Sequence, residues 1–394
     1  MSTLIPAKWH VDDFQALCEN SKIRESVTKR LLELGLPSAK MEHYRYFGIV
    51  PLLSKTYRPV KQSIQSIGKG DEILIRDGEV ISAPDTVSVS MQAASEIDEA
   101  HYDPIYYISH ALTPKTIKLT VSQDVATTLR HTFTKEEALF GYRVMIEVAE
   151  DAKLQLDEIY ERDTTPNSLA LCGLDIHLKK GSSMTWVRDQ ESEADGIAMI
   201  ASHAVRLDER SSMKLGSFDF GSSRILHIYK IDLGNHTTLD AAHLLYGDGE
   251  GQRGNIIQIN HNGEHATTTQ NAKHILKEKA RGIFDALIRV AHAGKYAVTH
   301  QNARSILLNN GAYMVSKPQL EIYIDELEAS HGSTTGQLDP AQIFYLRSRG
   351  ISEAEARKML IFAFAKDIIE TLGIEAIEER LIAKFEKRYT GGAA

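Results

Sequence analysis

Apolar residues near the start of the chain recur at helical spacing. Between Val11 and Leu34 they lie three to six positions apart, and this spacing predicts two short helices. Asn20 can cap the second helix and Gly35 can end it. We therefore predict an N-terminal helical segment over residues 1–68.

From about residue 70 onward the pattern changes to short apolar runs separated by Gly, Asp, Asn and Ser. Residues 73–75, 116–121 and 143–148 are such runs, and their composition predicts β-strands. Five later segments repeat an apolar-x-apolar strand, a polar turn and one more apolar residue. The five copies are 146–148 with Leu154, 176–178 with Met184, 205–207 with Met213, 231–233 with Leu239, and 257–259 with Ala266.

The spacing of these copies predicts the fold class. Successive copies begin 30, 29, 26 and 26 residues apart, which matches one copy per coil of a stacked solenoid. Ser-Ser-Met occurs at 182–184 and again at 211–213, where small residues suit a tight corner. We predict a mainly β fold with a β-solenoid core over residues 69–334, and a β-sandwich remains the alternative.

Past residue 335 the pattern returns to helix. Asp339 followed by Pro340 predicts a helix start, and Ser352 with Glu355 predicts a capping box for a second helix. Gly373 ends the second helix. A third helix follows, with one apolar face formed by Ile374, Ile377, Leu381 and Phe385. The sequence thus predicts a C-terminal helical domain over residues 335–394.

The second of these helices carries two apolar stripes. One stripe is Leu360, Phe364 and Ile368, and the other is Ile361, Ala365, Ile369 and Leu372. A helix that only docks on its own domain needs one buried face, so the wider apolar surface indicates a partner. A small bundle that buries both stripes internally explains the pattern equally well.

Charge and hydropathy restrict the partners. The 45 basic and 53 acidic residues give a net charge of -8, which repels nucleic-acid phosphates and anionic lipid. The N-terminal residues lack the basic stretch and apolar core of a secretory signal, and no run reaches the ~18 apolar residues of a membrane span. We expect a cytoplasmic protein that binds neither nucleic acid nor membrane.

The motifs of several enzyme classes are absent from the sequence. There is no P-loop, no G-x-S-x-G and no H-E-x-x-H pattern. Gly249, Gly251 and Gly254 match G-x-G-x-x-G, but residues 255–259 read as a strand where a dinucleotide site needs a helix. We therefore predict no catalytic and no cofactor-binding residues.

Cysteine and histidine usage predicts no metal centre held by this chain alone. Cys18 and Cys172 are the only cysteines, whereas a cluster normally needs about four protein ligands. His261 and His265 flank an Asn-Gly turn, which favours solvated corner positions over metal ligation. His331 follows a strand and precedes the helical tail, where an imidazole can face an interface and bind iron. A purely structural role for His331 fits equally well.

Several segments late in the chain resemble one known family. They are residues 317–325, 330–334, 336–339 and 344–351, with a looser match at 42–46. These residues are similar to the signature of the SufB/SufD family of iron-sulfur cluster assembly proteins, and the similarity is close over residues 282–364. The length of the chain and its short N-terminal segment resemble the SufD type rather than the longer SufB type.

The resemblance implies a fold, a role and partners. It implies a right-handed parallel β-helix that acts as a non-catalytic scaffold, pairs with a SufB-like paralogue through its edge, and binds a SufC-like ATPase through its C-terminal helices. His331 matches a histidine at the SufB interface, where iron or a nascent cluster is handled. Ala329 stands where some members have cysteine, so any thiolate there must come from the paralogue.

The ATPase contact is expected on the helical tail. Closure of two ATPase subunits would pull on this tail and reshape the interface with the paralogue. The residues that we expect to contact the ATPase are Phe344, Leu346, Arg347, Leu360 and Phe364. Arg347 is the candidate for charge-paired anchoring.

Two other functions fit parts of the sequence. A SufB-like scaffold that works as a homodimer would share the same motifs. A carbohydrate-active β-helix enzyme would share the fold, but such an enzyme needs convergent carboxylates and, outside the cell, a secretory signal. The sequence displays neither feature.

Overall fold

The computed structural model describes residues 9–62, 67–94, 96–161, 167–193 and 196–391. The helices are α1 (Val11–Leu17), α2 (Arg24–Leu34), α3 (Ile49–Leu53), α4 (Pro104–Leu112), α5 (Pro340–Ser348), α6 (Glu353–Ile369) and α7 (Glu375–Gly391), with a 3-10 turn at Glu42–Tyr44. The first strands are β1 (Arg58–Pro59), β2 (Gly68–Lys69), β3 (Ile73–Arg76), β4 (Glu79–Ala83), β5 (Ser88–Gln92), β6 (Thr116–Val121) and β7 (Val125–Thr132). The long strands are β8 (Ala138–Val148), β9 (Lys153–Tyr160), β10 (Leu169–Leu178), β11 (Ser183–Ser192), β12 (Ala198–Leu207), β13 (Ser212–Gly221), β14 (Arg224–Leu233), β15 (Thr238–Gly247), β16 (Gln252–His261), β17 (Thr267–Leu276), β18 (Arg281–Val290), β19 (Ala297–Leu307), β20 (Tyr313–Ile322) and β21 (Leu327–Gly336).

Strands β8 to β21 alternate between two sheets and so build a solenoid. Even-numbered strands pair in the order β20-β18-β16-β14-β12-β10-β8-β6, and odd-numbered strands pair from β7 to β21. From β8 to β21, neighbouring strands in each sheet run parallel. Among the described residues these strands make seven turns. The predicted mainly β solenoid is confirmed, and the sandwich alternative is wrong.

The register of the turns confirms four of the five predicted repeat copies. Ile176 pairs with both Ile146 and Val205, and Val205 pairs with Ile231. The fifth copy is wrong by two residues, because Ile231 pairs with Ile259 rather than with Ile257. Both isoleucines point into the solenoid, and a period-two pattern fits equally well after a shift of two positions.

Serine hydroxyls close the corners between strands, as the repeated Ser-Ser-Met predicts. Ser182 Oγ donates to the Lys179 carbonyl at 2.7 Å, and Ser211 Oγ donates to the Asp208 carbonyl at 2.6 Å. Both serines are fully buried. Each of these carbonyls also accepts the backbone N–H of the same serine, so the hydroxyl adds a second hydrogen bond that closes the turn.

His261 and His265 lie at the corner between β16 and β17, in different environments. His261 is buried rather than solvated: it ends β16, and its Nε2 lies 2.8 Å from Thr268 Oγ1. Its neighbour His265 is exposed in a left-handed corner conformation and stacks on His236. Residues 255–259 lie within β16, so no helix follows the glycine motif.

Helices α1 to α4 cover the outer face of the even-numbered sheet. Phe14, Val27 and Ile108 are buried there against that sheet. The two predicted N-terminal helices are confirmed as α1 and α2, whereas residues 1–8 of the predicted segment lie outside the described residues. Helix α4 was not predicted and falls within the range 69–334. The three predicted domain ranges stay predictions.

The C-terminal helices pack on the outer face of the odd-numbered sheet. Asp339 Oδ1 accepts from the Ala341 N–H at 2.8 Å, and Ser352 Oγ accepts from the Glu355 N–H at 3.2 Å, so both predicted N-caps are confirmed. Each cap satisfies a backbone donor that has no partner inside the first helical turn. No described helix is both long and apolar enough to cross a membrane.

A row of ion pairs fastens α7 to the solenoid. Arg380, Lys384 and Arg388 lie one helical turn apart. Their side chains reach Asp157 at 2.6 Å, Asp189 at 2.6 Å and Asp248 at 2.8 Å, respectively. Asp189 is fully buried, and breaking a buried pair costs far more than breaking an exposed one. Helix α7 is therefore a fixed part of the solenoid wall.

Candidate functional site

The solenoid ends in two strands that each have a free edge. Strand β20 terminates the even-numbered sheet and β21 terminates the odd-numbered sheet. At the two ends of β20, the N–H groups of Tyr313 and Tyr323 donate to the carbonyls of Ala280 and Val290, which lie at the two ends of β18. Along a strand, the backbone N–H and C=O groups of successive residues point to opposite sides. The backbone groups of the even-numbered residues of β20 therefore lie on its free edge. The same alternation, applied to the pairing of β19 with β21, places the backbone groups of the odd-numbered residues of β21 on its free edge.

His331 lies within β21 at this open end, rather than between a strand and the tail as the sequence analysis placed it. Its side chain faces the mouth of the solenoid, where its Nδ1 is 3.0 Å from the Pro318 carbonyl of β20. Beside it, the hydroxyls of Ser316 and Ser333 pair across the mouth at 2.8 Å. The mouth is therefore lined by short polar side chains and one imidazole.

The hydrogen bond to Pro318 fixes which nitrogen of His331 is free. A carbonyl oxygen only accepts, so in the neutral imidazole Nδ1 carries the proton and the lone pair lies on Nε2. Metal-binding histidines usually donate their second ring N–H to a carbonyl or carboxylate in this way. His331 is exposed, so its Nε2 can act as a single ligand for iron at the open end.

The described residues supply no complete metal site. They hold no group of three or more His, Cys, Asp or Glu side chains placed to bind a metal ion. Ala329 lies two residues before His331 and therefore on the same face of β21. Cys172 is buried five turns away, and burial raises the pKa of its thiol to about 12. Among the described residues, His331 therefore stands as a single candidate ligand at the open end.

The N-terminal motif at residues 42–46 braces the open end, a role that sequence reasoning missed. Lys317 of β20 contacts Glu42 at 2.7 Å and Asp285 at 3.1 Å. Burial lowers the pKa of Lys317, but its hydrogen bonds to these two carboxylates raise it by more. Tyr44 donates to the buried carboxylate of Asp103. One signal was present in the sequence, because the family resemblance covers both residues 42–46 and the terminal strands that this motif contacts.

The predicted ATPase-contact residues lie in three different environments. Leu346 and Leu360 line one shallow apolar groove of about 390 Å³ between α5 and α6, together with Tyr345. Phe344 is 73% exposed outside this groove. Arg347 is exposed and pairs with Glu353 at 3.4 Å.

Phe364 is tied to its own chain. The Lys273 ammonium lies 4.6 Å from the centre of its ring and donates to its backbone carbonyl. Of the two stripes on α6, the one containing Ile361, Ala365 and Ile369 is buried against the solenoid. The other stripe is half-buried at Leu360 and Phe364, which leaves apolar surface for a partner.

These features define a class of protein: a parallel β-solenoid with an open terminal coil and a helical tail docked on its side. Residues 131–364, more than half of the chain, match the family model described as SUF system FeS cluster assembly, SufBD core domain. The chain belongs to the SufB/SufD family of iron-sulfur cluster assembly proteins.

Individual relatives give the same result over shorter stretches. SufD of Escherichia coli is 46% identical over 87 residues, covering 22% of this chain and 21% of the relative. SufD of Bacillus subtilis is 33% identical over 82 residues, covering 21% and 19%. A SufBD family protein of Synechocystis is 30% identical over 210 residues, covering 52% and 46%. The chain thus spans less than half the length of each of these relatives.

Proposed function

We propose that this chain is a non-catalytic scaffold subunit of the SufD type in a cytoplasmic iron-sulfur cluster assembly complex. The observation that carries the proposal is the open terminal coil, in which His331 presents Nε2 between two free strand edges. A SufB-like paralogue pairs with these edges through backbone hydrogen bonds. Iron or a nascent cluster is handled at that interface as substrate, with His331 as one ligand and the paralogue supplying the thiolates.

The helical tail binds a SufC-like ATPase through α5 and the half-buried residues Leu360 and Phe364 of α6. Helix α6 packs on β15 and β17, and Lys273 of β17 ties it to the solenoid. Closure of two ATPase subunits pulls on the tail, and the pull reaches the odd-numbered sheet two turns before its open edge at β21. ATP energy therefore reshapes the shared interface mechanically, without catalysis by this chain.

Ser333→Pro tests the pairing through the strand edge. The backbone N–H of Ser333 lies on the free edge of β21. Proline at this position therefore removes one N–H donor from the free edge without removing a hydrogen bond to β19. The chain already carries Pro318 at an outward position of β20. We expect Ser333→Pro to abolish co-purification of the paralogue while the melting temperature of the isolated chain stays unchanged.

Ser333→Ala is the matched control, because it removes the same hydroxyl and keeps the edge N–H. We expect it to retain the paralogue. If the proline variant folds normally and binds the paralogue as tightly as the alanine variant, pairing does not use this edge. Recovery of only this chain, as a dimer that the proline variant disrupts, would instead indicate the homodimeric scaffold.

A further inference from the structure

One corner of the terminal coil carries exposed apolar side chains next to the free strand edges. Strand β20 turns into β21 at this corner, through residues 323–326. Tyr296, Ile322 and Tyr323 lie there, and they are 53%, 41% and 49% exposed. We call these three residues the corner patch. Exposed apolar side chains that adjoin unpaired strand edges are typical of a surface that another protein covers.

The ring of Tyr296 is held in a fixed orientation toward the open end. Its backbone is left-handed, and its N–H donates to the Glu326 carbonyl at 2.7 Å. The ring stacks on His265 of the preceding turn, and His265 stacks on His236, with 4.9 Å between ring centres in both pairs. This stack runs along the solenoid axis, so the second face of the Tyr296 ring is turned toward the open end. A tyrosine that is already ordered loses little conformational entropy on binding a partner.

The charge of the terminal coil is not balanced. Residues 313–336 contain one lysine, Lys317, which already pairs with two carboxylates. The same residues contain four acidic side chains: Glu321, Asp325, Glu326 and Glu328. Arg289 pairs with Glu321 at 2.8 Å, and Lys295 lies 3.9 Å from Glu326. Asp325 is exposed and has no ion pair with any described residue. The corner patch is therefore bordered by excess negative charge.

A second copy of this chain does not supply the missing cation. Two solenoid ends that pair edge to edge about a two-fold axis place this corner against either its own copy or the opposite corner of the coil. Its own copy brings the same carboxylates. The opposite corner, residues 308–312, contains no charged side chain. The surface therefore fits a different chain with a basic corner better than it fits a homodimer.

We propose that this corner selects the SufB-like paralogue as the partner of the open end, by receiving an arginine of the paralogue. A guanidinium both stacks on an aromatic face and pairs with a carboxylate, so Tyr296 and the neighbouring acidic residues recognise one side chain together. Ile322 and Tyr323 pack around it and exclude water. Like charges across the same corner disfavour self-pairing. This inference rests on the proposed pairing with the paralogue through the strand edges.

The test is a double charge reversal, Asp325→Lys with Glu326→Lys. The matched control is Glu150→Lys with Asp151→Lys, which makes the same change at two exposed acidic residues between β8 and β9, six turns from the open end. Calorimetric titration with the paralogue isolated from the unaltered complex measures the affinity at low and at high salt. We expect the corner variant to bind at least about tenfold more weakly at low salt, because like charges then face each other. The control should bind as the unaltered chain does.

A milder variant keeps the test decisive if the lysines impair folding. Asp325→Asn with Glu326→Gln removes the charges without adding new ones, and we expect it to weaken binding and to reduce the dependence of the affinity on salt. Equal affinities of the corner variants and the control would overturn the inference. If Ser333→Pro abolishes binding while both corner variants bind like the unaltered chain, the inference fails and the proposed pairing stands. If the unaltered chain does not bind the paralogue, the proposed pairing fails first.

Discussion

A chain carrying Phe344→Asp together with Leu360→Asp is expected to lose the ATPase and to keep the paralogue. Phe344 is 73% exposed, and Leu360 lines the groove between α5 and α6. Burying such a side chain in an interface is worth about 1.5–3 kcal/mol, and a carboxylate in its place must be desolvated. The two changes together should weaken ATPase binding by more than about 100-fold. Co-purification and calorimetric titration measure this loss.

The control for this variant is Leu32→Asp, an identical exchange at an exposed leucine of α2. It lies away from the tail and should leave both partners bound. Arg347→Met should weaken ATPase binding less than the double variant does, because an exposed charge pair contributes at most about 1 kcal/mol and Arg347 already pairs with Glu353 at the surface. Full retention of the ATPase by the double variant would place the contact elsewhere on the chain.

Acid is expected to unfold this protein at an unusually high pH. Burial lowers the pKa of His101 and His261 to about 4, and that of His243 and His274 to about 3. Below pH 6.5 the unfolded chain binds protons at these histidines that the folded chain does not, so stability falls with the pH. At pH 5 each contributes a loss of about 2 kcal/mol. The four together cost about 8 kcal/mol, which is comparable to the whole stability of many domains.

Hydrogen bonding in the interior reinforces this expectation. His203 Nδ1 accepts from the Leu174 N–H, and His203 Nε2 donates to His227 Nδ1. His227 Nε2 in turn donates to Gln190 Oε1 at 2.7 Å. Each ring accepts a hydrogen bond at its unprotonated nitrogen. Protonation of that nitrogen therefore breaks this series of hydrogen bonds. Burial also lowers the pKa of both histidines well below the usual value.

Denaturant unfolding at a series of pH values measures the acid effect. The free energy of unfolding should fall steeply between pH 6.5 and pH 5. His243→Gln removes one of these titrating groups, so it should reduce the slope by about 1.4 kcal/mol per pH unit. A free energy of unfolding that stays flat from pH 7 to pH 5 would contradict the buried, neutral state of these histidines.

The elements with local signals were predictable from the sequence. Asp339 and Ser352 predicted the starts of helices α5 and α6, and both residues are N-caps in the structure. The repeat spacing announced the solenoid, because each coil must return an apolar residue to the same interior row. Helix α4 carries the same Asp-Pro start, at Asp103 and Pro104. It was overlooked because it interrupts a stretch of β pattern.

The candidate site was only partly predictable. His331 was found through its sequence context, but its position within β21 depends on pairing with β19, which has no local signal. The pairing of His331 with Gln301 joins residues 30 positions apart, and the contact between Glu42 and Lys317 joins residues 275 positions apart. Such contacts follow from the stacking of turns. The burial of His261 was mispredicted because an Asn-Gly turn indicates a corner without indicating which side chain turns inward.

The most direct test of the scaffold account is the composition of the complex formed by the unaltered chain. The tagged protein would be purified from its own organism and analysed by native mass spectrometry. The account predicts one assembly that contains a longer SufB-like paralogue and a P-loop ATPase. Recovery of the chain alone, without either partner, would contradict it.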